Sequence, residues 1–235
     1  MRETDYFGGK IIFSDIDPVG GLDEVDIMSS VYAAIKEKTE EKNEVVYFDI
    51  GARLGHFSIL PKLFENVTGC SFEPNPNSFK VLNENIKCNG LADKMKVFNI
   101  GVSSINKKLE LKVPNTDDTS GISTFAKTPT LFENVNANAY SIYDVHCKTL
   151  DTVFNLLSLK SIDVIKIDTE GSEFDIITGG EGVLSKFKPT IIMEYQDHNA
   201  NEFGHKRDEC VEQLKTYGYT SFEFVPGRDS DLICK

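Results

Sequence analysis

Carboxylates and glycines stand at the ends of apolar runs in this chain, at a spacing that suits a small cationic ligand. The first group is Asp49-Ile50-Gly51-Ala52-Arg53-Leu54-Gly55, directly after Val45-Val46-Tyr47-Phe48. Strand, glycine-spaced turn and helix start make a cradle: glycine lets backbone approach a ligand, and the first helical N–H groups point at it. A dinucleotide fingerprint would need glycine where Arg53 and His56 stand. A carboxylate at Asp49 repels a pyrophosphate but attracts an ammonium group, such as the methionyl amine of S-adenosylmethionine. Glu73 closes the next apolar segment, Val67 to Phe72, where an acid gripping two ribose hydroxyls belongs. A ligand-free glycine turn would not need two carboxylates and two glycines in register.

The elements that must position these groups alternate between strand and helix. Predicted strands cover 45–50, 67–72, 95–102, 162–168 and 189–195, which are largely apolar runs, and 145–150, which reads as another short strand. Predicted helices begin at His56, at Pro76 (ending at Asn89-Gly90), at Asp151, at Phe174 (breaking at Gly179-Gly180) and near 203, ending at Gly218. Leu109 to Val113 alternates and reads as part of an accessory hairpin after a turn at Asn106-Lys107-Lys108. Tyr219 to Val225 and Asp231 to Cys234 read as a terminal hairpin. This order predicts an α/β fold, a doubly wound, mostly parallel, Rossmann-like sheet with an antiparallel edge.

An N-terminal segment, 1–44, precedes the domain at 45–235. It holds a short strand at Ile11 to Phe13, turn chemistry from Asp15 to Gly21, and a helix from Asp23 or Asp26 to about Lys38. Residues 114–144 are polar and without periodicity, which suits a substrate loop or lid with Thr119 to Ser123 as its contact segment; a plain surface insertion is the alternative.

Composition narrows the class. At 235 residues, with 40% hydrophobic and 26% charged residues, the chain is long enough for one large core. No run approaches the roughly 18 apolar residues of a membrane span, and no basic-then-apolar leader is seen, so no membrane partner is expected. A formal net charge of −12 disfavours nucleic acid. Five scattered cysteines without a Cys-x-x-Cys pair suggest reduced thiols in the cytoplasm and no zinc site. Nothing in the sequence speaks to oligomeric state.

Four motifs in order carry a resemblance. They are Phe48-Asp49-Ile50-Gly51-Ala52-x-x-Gly55, Phe72-Glu73-Pro74-Asn75-Pro76, Asn85-x-x-x-Asn89-Gly90-Leu91 and Ile165-Lys166-Ile167-Asp168-x-Glu170-Gly171-x-Glu173. With them the chain resembles the FkbM-type methyltransferases, within the class I S-adenosylmethionine-dependent fold. Arg53 departs from the asparagine usual there. The resemblance implies a seven-stranded sheet with the last strand antiparallel, and methyl transfer to a hydroxyl of a small molecule or sugar. It implies Asp49, Gly51 and Gly55 around the methionyl part, Glu73 on the ribose and Ser103 on the adenine side.

A hydroxyl acceptor must lose its proton, and the candidate bases are Asp168, Lys166, Glu170 and His198. Asp168 ranks first because the end of the fourth strand of that fold faces the transferred methyl. Lys166 interrupts an apolar strand, where burial would lower its pKa; a structural ion pair with a nearby carboxylate is the favoured alternative. His198 suits an exposed loop equally well, and Glu170 and Glu173 suit capping of the following helix. Asp168 and Glu194 could offer oxygens to magnesium, but two strand-end acids are thin support, and no metal is assigned. A nicotinamide-dependent oxidoreductase and a non-catalytic binding protein remain the alternatives at this stage.

Overall fold

A computed structural model describes residues 2–13, 25–115, 123–127 and 140–235. The expected turn at Asp15 to Gly21, the Asp23 cap and most of the Thr119 to Ser123 segment lie outside the described residues.

The centre is a seven-stranded sheet built from β3 (Val45–Ile50), β4 (Val67–Phe72), β5 (Met95–Phe98), β9 (Val164–Ile167), β10 (Thr190–Glu194), β11 (Phe222–Phe224) and β12 (Asp231–Cys234). Their spatial order is β11-β12-β10-β9-β3-β4-β5. Neighbouring pairs from β10 to β5 are parallel, and β12 runs antiparallel to both of its neighbours. The predicted doubly wound sheet with an antiparallel strand is therefore observed. After β5 the chain crosses back to β9 on the other side of β3. The β3/β9 boundary is thus the switch point, where an open α/β sheet leaves a crevice beyond its strand ends.

Both faces are covered, which explains the near-continuous apolar strands. Helices α1 (Val25–Glu41) and α2 (Pro76–Cys88) bury Met28, Val31, Ile35, Leu82 and Ile86 against Val45, Tyr47, Val67 and Val164. On the other face, α3 (Leu150–Leu156), α4 (Glu173–Thr178), α5 (Glu181–Phe187) and α7 (Arg207–Thr216) cover Phe48, Ile50, Phe72, Ile165 and Ile167. A short α6 (Asp197–Glu202) follows β10. Neither α5 nor α6 was expected from the sequence.

Helix α2 begins as its residues dictate. Pro76 occupies the first turn, and the Asn75 side chain accepts from Asn77 N at 3.0 Å. Removing that cap in Asn75→Ala is expected to cost about 1 kcal/mol, read as a lower urea midpoint at unchanged slope.

Several local expectations are corrected. No α-helix starts at His56: residues 53–59 form turns, followed by a 3-10 turn at Leu60–Leu63. Pro61 lacks the N–H that would bond Phe57 O, and Leu60 N takes that carbonyl at 3.2 Å instead. The run is apolar because it is enclosed on every side, with Leu54 through Pro61 all buried. The predicted third strand breaks at Asn99, whose Nδ2 donates to the carbonyls of Glu73 (2.8 Å) and Pro74 (3.0 Å). Beyond the break, β6 (Gly101–Val102) leaves the main sheet and pairs with β8 (Tyr140–Lys148). Strand β7 (Lys108–Pro114) pairs antiparallel with β8 across the whole 114–144 insertion, so the accessory hairpin is not a local one. At the N-terminus, β1 (Arg2–Tyr6) and β2 (Gly9–Phe13) form a hairpin where only the second strand was expected. Asn89 clips this hairpin to the body: its side chain accepts from Ile12 N and donates to Ile12 O, at 2.9 and 2.7 Å.

Candidate functional site

One cavity lies beyond the carboxyl ends of β3, β4, β9 and β10, at the switch point. Gly51, Ala52, Arg53, Glu73, Pro74, Lys166, Asp168, Thr169 and Glu170 all border it.

Glu73 follows β4 directly and is 6% exposed. Its two oxygens accept from backbone N–H groups, Arg53 at 2.7 Å and Asn75 at 2.8 Å, so the carboxylate is locked in the wall. Burial outweighs those two donors and pushes its pKa up to about 7.

Below the cavity lies a charged cluster set by strand register. Asp49 and Lys166 are partners across β3 and β9, and both side chains are buried on the α1/α2 face. Lys166 Nζ lies 3.0 Å from Asp168 Oδ2, 3.9 Å from Asp49 Oδ1 and 4.5 Å from the Phe57 ring centroid, and it donates to Gly51 O at 3.4 Å. Asp49 Oδ2 accepts from Ser58 Oγ at 2.5 Å, whereas no hydrogen-bond donor among the described residues reaches Oδ1. Burial raises the Asp49 pKa, and Lys166 and Ser58 oppose the shift.

The loop after β9 is shaped by its own residues. Glu170 and Gly171 both take positive φ, +55° and +106°. A side chain at Gly171 would meet Asn199 O at 2.2 Å, so the site requires glycine. Glu173 is buried and accepts from Thr169 N (2.9 Å) and Thr169 Oγ1 (2.8 Å), which ties the loop to the start of α4. Asn199 Nδ2 stands 3.1 Å from Glu170 Oε2 and 3.1 Å from both Glu194 oxygens, bridging two acids of the cavity rim. Burial, then the neighbouring Asp168 and Glu173 charges, push the Glu170 carboxyl up to about 7. Burial and the charges of Asp168, Glu173 and Glu170 push Glu194 further, to about 10. Burial and mutual repulsion thus raise both acids, Glu194 more than Glu170. Among the described residues no set of three His, Cys, Asp or Glu is arranged to hold a metal.

A glycine turn between β3 and β4, an acid at the end of β4 and an acid-rich loop after β9 thus meet at one crevice. The family model described as the methyltransferase FkbM domain matches residues 49–221, which include all three. The chain belongs to the FkbM methyltransferase family. It is 30% identical over 208 residues to the 2-O-methyltransferase NoeI of Sinorhizobium fredii (strain NBRC 101917 / NGR234), covering 83% of this chain and 81% of that relative. Among solved structures, the FkbM methyltransferase of Methylobacillus flagellatus KT matches with a TM-score of 0.51 and 14% identity. That match covers 82% of this chain and 44% of the other, and it shows the fold alone. This FkbM chain is accordingly a methyltransferase, and the donor its family implies is S-adenosylmethionine.

The FkbM motifs occupy distinct positions around the cavity. Gly51, Glu73, Lys166, Asp168 and Glu170 border it, while Asp49, Gly55, Ser103 and His198 do not. Asp49 lies beneath it, fully buried. Gly51 has a φ of +79°, and a Cβ there would meet Asp168 O at 1.8 Å: this glycine lets the ends of β3 and β9 close together. Gly55 takes a φ of +95°, which favours glycine in this turn, and it lies against Leu82 of α2. Ser103 is buried beside the lining residue Val102, and His198 is exposed on α6.

Other lining residues carried no sequence signal. Phe57 lies within the enclosed turn, and Arg228 pairs with Asp231 at 2.8 Å in the terminal hairpin. Opposite charges three residues apart in a glycine-containing turn were the only hint of that pair. Gln196 and Phe125 reach the cavity from positions that no motif marks, whereas Ser123 ends the contact segment expected at Thr119 to Ser123.

Proposed function

We propose that this protein transfers the methyl group of S-adenosylmethionine to a hydroxyl oxygen of a small molecule or sugar. Oxygen as the acceptor atom is supported by the relative NoeI, a 2-O-methyltransferase. The observation that carries the reading is the single cavity that joins the Glu73 carboxylate and the Gly51–Arg53 backbone to the Asp168–Glu170 loop. Its residues suit a donor of net positive charge: carboxylates at Glu73, Asp168 and Glu170, with apolar surface at Pro74 and Phe57.

Glu73 holds the ribose hydroxyls, Gly51 to Arg53 line the methionyl part, and Ser103 backs the adenine side from behind Val102. When bound, S-adenosylmethionine supplies an activated methyl carbon. The chain's part is orientation, worth on the order of 7–11 kcal/mol for well-aligned groups, and removal of the acceptor proton. Asp168 is the proposed base. Lys166 Nζ lies 3.0 Å from Asp168 Oδ2, and the Asp168 side chain keeps 30% of its surface open. Glu170 lies on the same loop and is the second acceptor for that proton. Asp49 and Lys166 support the floor from below. No helix among the described residues is long and apolar enough to cross a membrane, and all five cysteines are free thiols. We assign the protein to the cytoplasm on the reducing environment those thiols suit.

Calorimetry with S-adenosylhomocysteine tests the donor site. Ribose hydroxyls donate to the ionised form of Glu73, so binding draws its pKa down from about 7 and releases a proton in slightly acid solution. Affinity is expected to weaken as pH falls below 7, approaching about tenfold per unit. In the ligand-free protein the raised pKa acts in the opposite sense: Glu73 favours folding at low pH, and that contribution is lost as pH rises through 7. Glu73→Gln should bind roughly 10- to 100-fold more weakly, the loss of hydrogen bonds to a charged group, and without the pH dependence. Undiminished affinity in Glu73→Gln would remove the ribose role.

A further inference from the structure

We propose that residues 123–127 of the 114–144 insertion belong to the donor site, with Phe125 forming the aromatic wall against which the purine of the donor stacks. The inference rests on the S-adenosylmethionine reading above and assigns a residue that none of the four motifs contains.

The cavity has two unlike ends. Asp168, Glu170 and Glu194 line one end, beyond β9 and β10. Past Glu73, beyond β4 and β5, the lining changes to Pro74, Ile100, Gly101, Val102 and Phe125. With the ribose at Glu73 and the reacting methyl at Asp168, the flat base extends to the side away from Asp168. Apart from Ser78 and Ser123 that side is apolar, and it contains the Phe125 ring.

The ring is fixed by packing on one side. A Cβ at Gly101 would lie 2.9 Å from Phe125 Cζ and 2.7 Å from Cys147 Sγ, so the ring rests directly on the glycine backbone. The segment that carries it is held at several points. Lys112 and Thr124 exchange two backbone hydrogen bonds, at 2.9 and 3.1 Å. The Lys112 side chain, 9% exposed, turns its ammonium onto the carbonyls of Ala126 and Lys127, the latter at 2.7 Å. Asn75 Nδ2 donates to Ser123 Oγ at 3.2 Å, which joins the segment to the turn that follows Glu73. A lysine amine buried to hold main-chain carbonyls fixes loop geometry; here it keeps Phe125 half-buried with part of its surface on the cavity.

The test measures binding of S-adenosylhomocysteine and of adenosine by calorimetry to the parent, Phe125→Leu, Phe125→Ala and Phe125→Tyr proteins. Base–aromatic stacking predicts about a tenfold loss for the leucine and alanine variants, near-parent affinity for tyrosine, and the same loss towards adenosine, which has no methionyl part. Thermal unfolding of each ligand-free variant identifies any that fails to fold; leucine keeps most of the volume, so it decides if alanine unfolds. Parent-like affinity in Phe125→Leu overturns the assignment, as does a loss seen with S-adenosylhomocysteine but not with adenosine. If the parent itself binds neither ligand, the donor reading fails, and this inference with it.

Discussion

Asp168→Asn is expected to lower turnover by about 10²- to 10⁴-fold, the usual contribution of a positioned base, while leaving S-adenosylhomocysteine affinity close to that of the parent. Asparagine has the same shape and still offers Lys166 an oxygen where Asp168 Oδ2 now stands, 3.0 Å away. It cannot accept a proton, so the substitution removes chemistry and spares architecture. The measurement is release of S-adenosylhomocysteine across a panel of monosaccharides and small alcohols, with donor affinity followed in parallel. Glu170→Gln in the same assay separates the two acids of the loop. With Asp168 as base, Glu170→Gln should lose less turnover than Asp168→Asn. If Glu170 is the base, turnover falls as pH drops through its pKa of about 7, and Glu170→Gln suffers the larger loss. Near-parent turnover in Asp168→Asn would remove Asp168 from the chemistry.

Some of this site was written locally in the sequence and some was not. Val45 to Ile50 reads as a strand because burial on both faces makes it almost wholly apolar. Pro76 and Asn75 mark the start of α2 by their own backbone chemistry, and Glu73 is thereby fixed at the end of β4. Residues 56–60 defeated the same reasoning: an enclosed turn and a buried helix are equally apolar, and Pro61 was the overlooked breaker. The pairing of β7 with β8 joins residues on either side of a long insertion, so no local pattern announces it. Phe125 reaches the cavity on a segment held to β7 by the Lys112–Thr124 bridge, which is equally invisible to a local pattern.

Gly51 shows how a motif can be found for an incomplete reason. The sequence argument gave it close approach to a ligand; the structure shows that its missing Cβ also makes room for Asp168 O. The glycine turn and the base-bearing loop are thus packed against one another. Geometry at the donor cradle and at the proposed base cannot vary independently, which suits a reaction that needs donor and acceptor in line.

Lys166→Met should carry the largest stability cost, about 3–5 kcal/mol, as expected when one partner of a buried ion pair is removed. The lysine side chain is 4% exposed and Asp49 is fully enclosed, so losing the ammonium removes a partner from a buried carboxylate. Methionine fills the space beside Phe57 but leaves the Asp49 carboxylate, which burial already pushes towards its protonated form, without a cation. The sign of the pH effect follows. Without Lys166 the folded-state pKa of Asp49 rises further, so the variant keeps more of its stability in acid and loses it as pH increases. Urea unfolding at pH 5 and pH 8 should therefore show the greater deficit at pH 8. Adding Asp49→Asn to the same chain should recover part of the loss, because a neutral amide can still accept from Ser58 Oγ and no longer strands a charge. A deficit that is equal at both pH values, or a double variant no more stable than Lys166→Met, would mean that Lys166 stabilises the fold through packing and not through its charge.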